Sequence, residues 1–155
     1  MQPRKRWLLG IVSVAACAST ASEPLRVALA PDREQLALAD TLWLSVTVVN
    51  QSDRQQLVRR PYCVRQFEIR DGRDQIVAPG RAVCPAIAHP PVPLASKDSF
   101  SFRTFWAGDS GQYWYGRSVR LSPGAYRVRA WVQGERGMTF SHAATIRLLD
   151  STARH

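Results

Sequence analysis

Val14-Ala15-Ala16-Cys17 places a thiol directly after one aliphatic and two small residues. That order is the bacterial lipobox, in which cleavage exposes the cysteine and its thiol receives a lipid. Upstream, Arg4, Lys5 and Arg6 form a positive segment, and Trp7 to Ala16 (WLLGIVSVAA) an apolar one, the layout of an export signal. An ordinary signal peptide cut after Ala18 or Ala21 is the alternative, with Cys17 an incidental small residue. If Cys17 is acylated by palmitate-like chains, each buried CH₂ contributes about 0.8 kcal/mol and several chains together anchor stably. Ala18 stands where an aspartate would resemble an inner-membrane retention signal. The expected location is therefore the cell envelope, at the outer membrane in a source with two membranes. Residues 1–16 read as the signal peptide and 17–24 as the lipidated cysteine and a polar tether. Such a tether reaches roughly 15 Å, so the domain would sit close to membrane lipid.

With Cys17 lipidated, Cys63 and Cys84 are the remaining thiols. Exported compartments are oxidising, so the pair is expected to form a disulfide. The loop it closes would add about 3 kcal/mol in the chain-entropy model. A metal or redox site is the sharper alternative, but there is no C-x-x-C and His89 is the one nearby imidazole. Zinc is poorly served, because His89, His142 and His155 have no paired spacing. Neither a phosphate-binding glycine loop nor a paired-carboxylate arrangement is present, so no metal and no cofactor is expected.

Gly108-Asp109-Ser110-Gly111 copies the four residues around the nucleophile of chymotrypsin-like proteases, and His89, Asp98 and Ser110 occur in the matching order. Gln112 replaces the second glycine of that motif, and His89 precedes two prolines. A glycine-rich loop after an aromatic strand accounts for the stretch better than a catalytic serine, and no catalytic residue is assigned. Around it lies the most unusual local composition of the chain. Phe105, Trp106, Tyr113, Trp114 and Tyr115 flank a short polar loop. Packing is the first reading, with Trp106 and Trp114 capping one end of a core. The functional reading is an interaction loop, because Trp and Tyr dominate binding hot spots, or a sugar-stacking platform built on Trp106, Tyr113 and Trp114.

The elements that must position these residues read as strands. The chain has 155 residues, 45% hydrophobic and 21% charged, enough for one domain with a real core, expected over 25–150 and followed by a disordered tail at 151–155. No apolar run is long enough for a membrane-spanning helix. Loss of Arg4, Lys5 and Arg6 takes 21 basic residues to 18 against 12 acidic ones, a net charge of +6. The arginines are scattered among apolar residues and suit a solvated strand face, and export makes nucleic acid a poor partner.

Leu25 to Ala30 alternates weakly and reads as a first strand; 32–40 is ambiguous between a helical turn, an edge strand and a loop. Leu42 to Asn50 puts Leu42, Leu44, Val46 and Val48 on one face, and 50–53 forms a turn. Gln55 to Arg59 is extended. Phe67 to Val77 reads as a hairpin with a type I′ turn at Asp71-Gly72. Pro79 to Pro93 carries five prolines and predicts an irregular crossing. Ser99 to Trp106 alternates with Phe100, Phe102 and Trp106 inward. Pro123-Gly124 turns into a strand whose inward residues are Tyr126, Val128, Ala130 and Val132. A tight turn at 134–137 leads to a last strand over Thr139 to Leu149. About seven short strands predict an all-β, antiparallel Greek-key sandwich.

These elements resemble the bacterial intracellular proteinase inhibitor (BsuPI-type) family. The likeness rests on Leu44-Ser-Val-Thr-Val-Val-Asn50 running into Ser52-Asp53, Phe67-Glu-Ile-Arg-Asp-Gly72, the Phe102 to Gly108 segment, and Leu121-Ser-Pro-Gly-Ala-Tyr126. It spans most of 42–132 and implies an immunoglobulin-like β-sandwich and, more loosely, inhibition of a serine protease. Export, the cysteine pair and the proline-rich crossing depart from the family pattern, and no inhibitory residue carries over. The expected function is a non-catalytic envelope lipoprotein that binds a protein partner; the alternative is an envelope polysaccharide-binding module using the aromatic loop.

Overall fold

The computed structural model describes residues 23–37, 40–59, 66–78, 90–110 and 119–150. Their strands, in chain order, are β1 (Leu25–Pro31), β2 (Gln35–Leu36), β3 (Leu42–Asn50), β4 (Gln56–Arg59), β5 (Phe67–Arg70), β6 (Ile76–Ala78), β7 (Val92–Leu94), β8 (Ser99–Trp106), β9 (Gly124–Gly134), β10 (Gly137–Phe140) and β11 (Ala144–Leu148). There is no helix among the described residues.

Two sheets face each other. The smaller has the order β1-β3-β8 and is antiparallel throughout, with Leu25 opposite Asn50 and Leu42 opposite Trp106. The larger is built on β9. One flank of β9 is occupied first by β11, from Leu148 opposite Gly124 to Ala144 opposite Val128, and then by β10, from Phe140 opposite Trp131 to Gly137 opposite Gly134. The other flank is occupied by β5, opposite 127–130, and then by β4, opposite Gln133 and Gly134. β6 extends β5, and β7 extends β4. β2 joins the edge of β11, the one parallel contact among these strands. The chain thus leaves the small sheet after β1 and touches the large one at β2 before returning as β3.

Alternation decides which side chains fill the gap between the sheets. Leu42, Leu44, Val46 and Val48 from β3 are buried against Tyr126, Val128, Ala130 and Val132 from β9, with Phe67, Ile69, Ile146 and Trp106 completing the layer. The Tyr126 hydroxyl donates to the Ser122 carbonyl at 2.8 Å, which ties the start of β9 to the turn before it. This is the tyrosine corner of immunoglobulin-like sandwiches, and the fold is of that type. Val128 stands where antibody domains carry a sheet-linking cysteine. Burial, and secondarily the negative charge of Asp71, push the Tyr126 phenol above its ordinary value.

Asn50 closes the other end. It is fully buried. Its Nδ2 donates to the carbonyls of Arg54 (2.7 Å), Ala95 (2.8 Å) and Leu94 (3.1 Å), while Oδ1 accepts from the backbone N–H and the hydroxyl of Ser52. One side chain therefore joins the 50–54 turn to the chain that enters β8. Lys97, at φ 62°, makes that second turn and donates to the Gln51 carbonyl at 2.7 Å.

Several local expectations need correction. The 71–75 loop is not a two-residue type I′ turn. Its left-handed residue is Asp74 (φ 65°), and Asp71 Oδ1 accepts the N–H groups of Arg73 and Gln75, so five residues close the hairpin. Pro79 to Pro93 is not wholly irregular, because Val92–Leu94 pairs with β4 as an edge strand that tolerates Pro93. The ambiguous 32–40 stretch contributes β2. The final strand is interrupted at 141–143, giving β10 and β11 instead of one element, and the described residues form eleven short strands where the sequence predicts about seven.

Removing the Asn50 amide leaves three inward carbonyls without their shared donor. Asn50→Ala is expected to lower unfolding free energy by about 2–4 kcal/mol, measured as a reduced urea midpoint at unchanged slope.

Candidate functional site

The run of aromatic residues emerges from β8, and alternation sends its first two members in opposite directions. Trp106 points inward, is fully buried, meets the Tyr126 ring edge-on at 6.0 Å, and donates its indole N–H to the Asp109 carbonyl at 2.9 Å. Trp106 is therefore a packing residue and has no face left for a ligand. That corrects its place in the interaction loop and among the stacking platforms. Phe105 points outward and packs on Trp43, directly opposite it on β3, at 5.6 Å between ring centroids.

After Trp106 the chain forms a two-stranded stem. Ser110 N–H donates to the Val119 carbonyl (2.8 Å), Val119 N–H donates to Ser110 Oγ (3.1 Å), Leu121 N–H donates to the Gly108 carbonyl (3.0 Å), and Asp109 bridges Arg120. Gly108 is needed at its root. It has φ 72°, and a Cβ added there would lie 3.5 Å from Leu148 and 3.6 Å from Leu36 of the core. Residues 111–118, and with them Tyr113, Trp114 and Tyr115, lie outside the described residues.

The stem and the chain entry occupy opposite ends of the sandwich. Leu25, where β1 begins, is paired with Asn50, whereas Trp106, where the stem begins, is paired with Leu42. β3 runs between those points, and the eight steps from Leu42 to Asn50, at about 3.4 Å each, separate the two ends by about 27 Å. Asp98 is at the entry end, its Oδ1 accepting the Ser99 N–H, and Ser110 is in the stem. The length of β8 between them forbids an Asp98–Ser110 charge relay, and the Ser110 hydroxyl oxygen already serves the stem. His89 lies outside the described residues.

A second polar cluster covers the outer face of the large sheet. Glu68 is nearly buried, with its side chain 9% exposed. Its Oε1 accepts from Arg70 Nε at 2.7 Å and from Arg129 Nε at 3.0 Å, with a further contact from Arg129 Nη2. Arg127 reaches Asp74 at 2.7 Å, and the Arg129 guanidinium lies 4.6 Å above the Phe140 ring. Burial pushes the Glu68 carboxyl up, but hydrogen bonds from Arg70 and Arg129, then their charges, outweigh it and hold it below the ordinary 4.5. Among the described residues no group of three or more His, Cys, Asp or Glu side chains is placed to hold a metal.

Cys17, Cys63 and Cys84 lie outside the described residues. The strands bounding the two cysteine segments are nevertheless informative: 60–65 runs from β4 to β5, and 79–89 runs from β6 towards β7. β4 pairs with β7 and β5 with β6, so each strand that bounds one segment is paired with a strand that bounds the other. The residue that sequence reasoning missed is Trp43, which is 40% exposed. Its signal was present, since it is out of phase with the inward Leu42, Leu44, Val46 and Val48 of the same strand.

No protein-family model and no curated protein matches the chain. Among solved structures it is similar to the C-terminal domain of Wzt, at 10% identity and a TM-score of 0.53 over 83% of this chain and 75% of that one. A β-glucosidase of Erythrobacter marinus is 19% identical over 81% of this chain with a TM-score of 0.45, and this chain spans 15% of its length. The CARDB domain of the PF1109 protein of Pyrococcus furiosus is 12% identical, with a TM-score of 0.43 over 81% of this chain and 87% of that domain. At such identities the Wzt likeness is one of fold alone, and the other two scores are too low to speak even for that.

A depressed carboxylate adds stability that is complete above its unfolded pKa and is lost as pH falls through the lower, folded one. Glu68→Gln is therefore expected to destabilise by about 1–3 kcal/mol at pH 7 and to flatten the stability profile below pH 4.5, read by denaturant melts across pH. Gly108→Ala forces a side chain into the left-handed region. It should cost about 1–2 kcal/mol, measured by thermal unfolding.

Proposed function

We propose that this chain is a non-catalytic binding domain of the cell envelope, anchored by lipid on Cys17, that presents the aromatic stem to a protein partner. The observation that carries this reading is the separation of the two ends. The chain enters at Glu23 and Pro24 beside Asn50, while the stem leaves from Trp106 beside Leu42. An anchor preceding residue 23 then holds the entry end at the bilayer and directs the stem away from it, where another protein can reach it. In a double-membraned source, Ala18 after the cysteine favours the outer membrane. A lipobox directly behind a charged and apolar leader supports the anchor. The Ser110 hydroxyl, held by Val119, supports binding over hydrolysis.

A serine protease is the partner that the resemblance to BsuPI-type inhibitors favours, with inhibition as the consequence of binding. A Cys63–Cys84 disulfide belongs to the same proposal. It is supported by the neighbouring strands on which the two cysteine segments begin and end, and it would brace the sheet edge formed by β6 and β7.

Cys17→Ser is expected to move the protein from the membrane to the soluble fraction on ultracentrifugation, and unchanged partitioning overturns the anchor. A photocrosslinker at Val119, in the stem, should capture a protein in native envelopes that a crosslinker at Arg54, at the entry end, does not. Equal capture at both positions, or none at Val119, counts against the stem. Thiol reduction of exported protein should lower its stability by about 3 kcal/mol.

A further inference from the structure

The outer face of the small sheet carries a strip that the stem does not include. Trp43 and Phe105 stand at one end of it. Next comes the row Ala30, Ser45 and Arg103, then Ala28, Thr47 and Ser101, each row lying straight across β1, β3 and β8. Arg26 ends the strip beside the chain entry. Every one of these side chains is exposed or half-buried.

We propose that this strip binds an acidic polysaccharide laid along β3. Three features select that ligand. First, the indole of Trp43 is held before any ligand arrives. The Arg103 guanidinium lies 4.9 Å from its ring centre, Phe105 packs beside it, and its backbone N–H donates to Asp32 Oδ1 at 3.1 Å. A fixed, 40% exposed indole offers an apolar surface to the C–H groups of a pyranose at little ordering cost. Second, the floor beyond it is flat and made of small residues, with the Thr47 and Ser101 hydroxyls paired at 2.9 Å, so a chain of sugar hydroxyls can approach closely and exchange hydrogen bonds. Third, the charge on the strip is cationic. Arg103 and Arg26 stand four residues apart along the register, about 14 Å, whereas the carboxylate of Asp32 is engaged by the Trp43 N–H and by Arg33 at 3.5 Å.

Size separates a polysaccharide from a globular partner. Three strands about 4.8 Å apart and the six steps from Trp43 to Val49 give about 14 by 20 Å, roughly 300 Å². A stable protein interface needs about 800 Å² from each side. The strip suits a single extended chain. It does not depend on the stem, and it stands whether or not the stem has a protein partner.

Calorimetric titration of the full chain with oligogalacturonate, oligomannuronate, dextran oligomers of equal length and polyglutamate tests the assignment. At least one of the two uronate oligomers should bind, with dextran and polyglutamate at least tenfold weaker. Trp43→Ala and Arg103→Glu should each weaken that binding at least tenfold, and Trp106 supplies an internal fluorescence check that the core is intact. Arg103→Glu reverses the charge but leaves Phe105 packed on the indole and the Thr47–Ser101 floor unaltered, so it decides the matter even if Trp43→Ala unfolds. The proposal is overturned if neither uronate binds, if dextran binds equally, if both variants bind as the parent does, or if polyglutamate binds as tightly. The last outcome would mark a charge-driven polypeptide surface.

Discussion

Every backbone group along β9 needs a partner, and no single neighbouring strand supplies them. Both flanks change strands at the same level. On one side β11 gives way to β10, and there the Ala130 N–H donates to Ser141 Oγ at 3.0 Å while its carbonyl accepts the Ser141 N–H at 2.8 Å. On the other side β5 ends, and the Trp131 N–H donates to the Gln66 carbonyl at 3.0 Å. A serine hydroxyl and a loop carbonyl thus bridge two breaks that would otherwise leave buried donors unpaired. The long strand survives because its interruptions are filled by these two groups, and the core rows above and below Ala130 keep one register.

That continuity divides the labour between faces. Inward side chains of β3, up to Asn50 at its end, and of β9 make one largely apolar layer. Outward ones are different on the two sheets. The large sheet carries a nearly buried carboxylate between two guanidinium groups, both of which turn hydrogen bonds onto it. The small sheet carries an aromatic pair, small residues and two cations. Their charges are unlike in consequence: the Glu68 cluster consumes its own hydrogen-bonding capacity and is a structural device, while the other face keeps donors available to solvent.

Alternation made much of this legible. The nine residues of β3, the inward set of β9 and the outward position of its arginines follow from period two, and Pro123-Gly124 marks the entry to β9. Less legible were features decided by tertiary pairing. Asp71-Gly72 has the composition of a tight turn, yet the Asp71 side chain bonds two N–H groups further on and shifts the left-handed residue to Asp74. The break at Ser141 has no turn signal, because a side chain replaces the missing ladder bond. Trp106 and Phe105 are adjacent aromatics of the same apparent promise. Only the direction of β8 and the closure by Tyr126 separate a core residue from a surface one. Trp43 was concealed by its setting in the most hydrophobic strand of the chain.

The antiparallel pairing of β1 with β3 has a mechanical meaning. All seven residues of β1, from Leu25 to Pro31, are in register with β3, and the chain enters β1 at Leu25. Tension on the N-terminus then acts along the strand axis and loads the whole ladder at once, in shear. A strand attached the other way round would open one hydrogen bond at a time. The small sheet is built to resist a pull applied at Leu25.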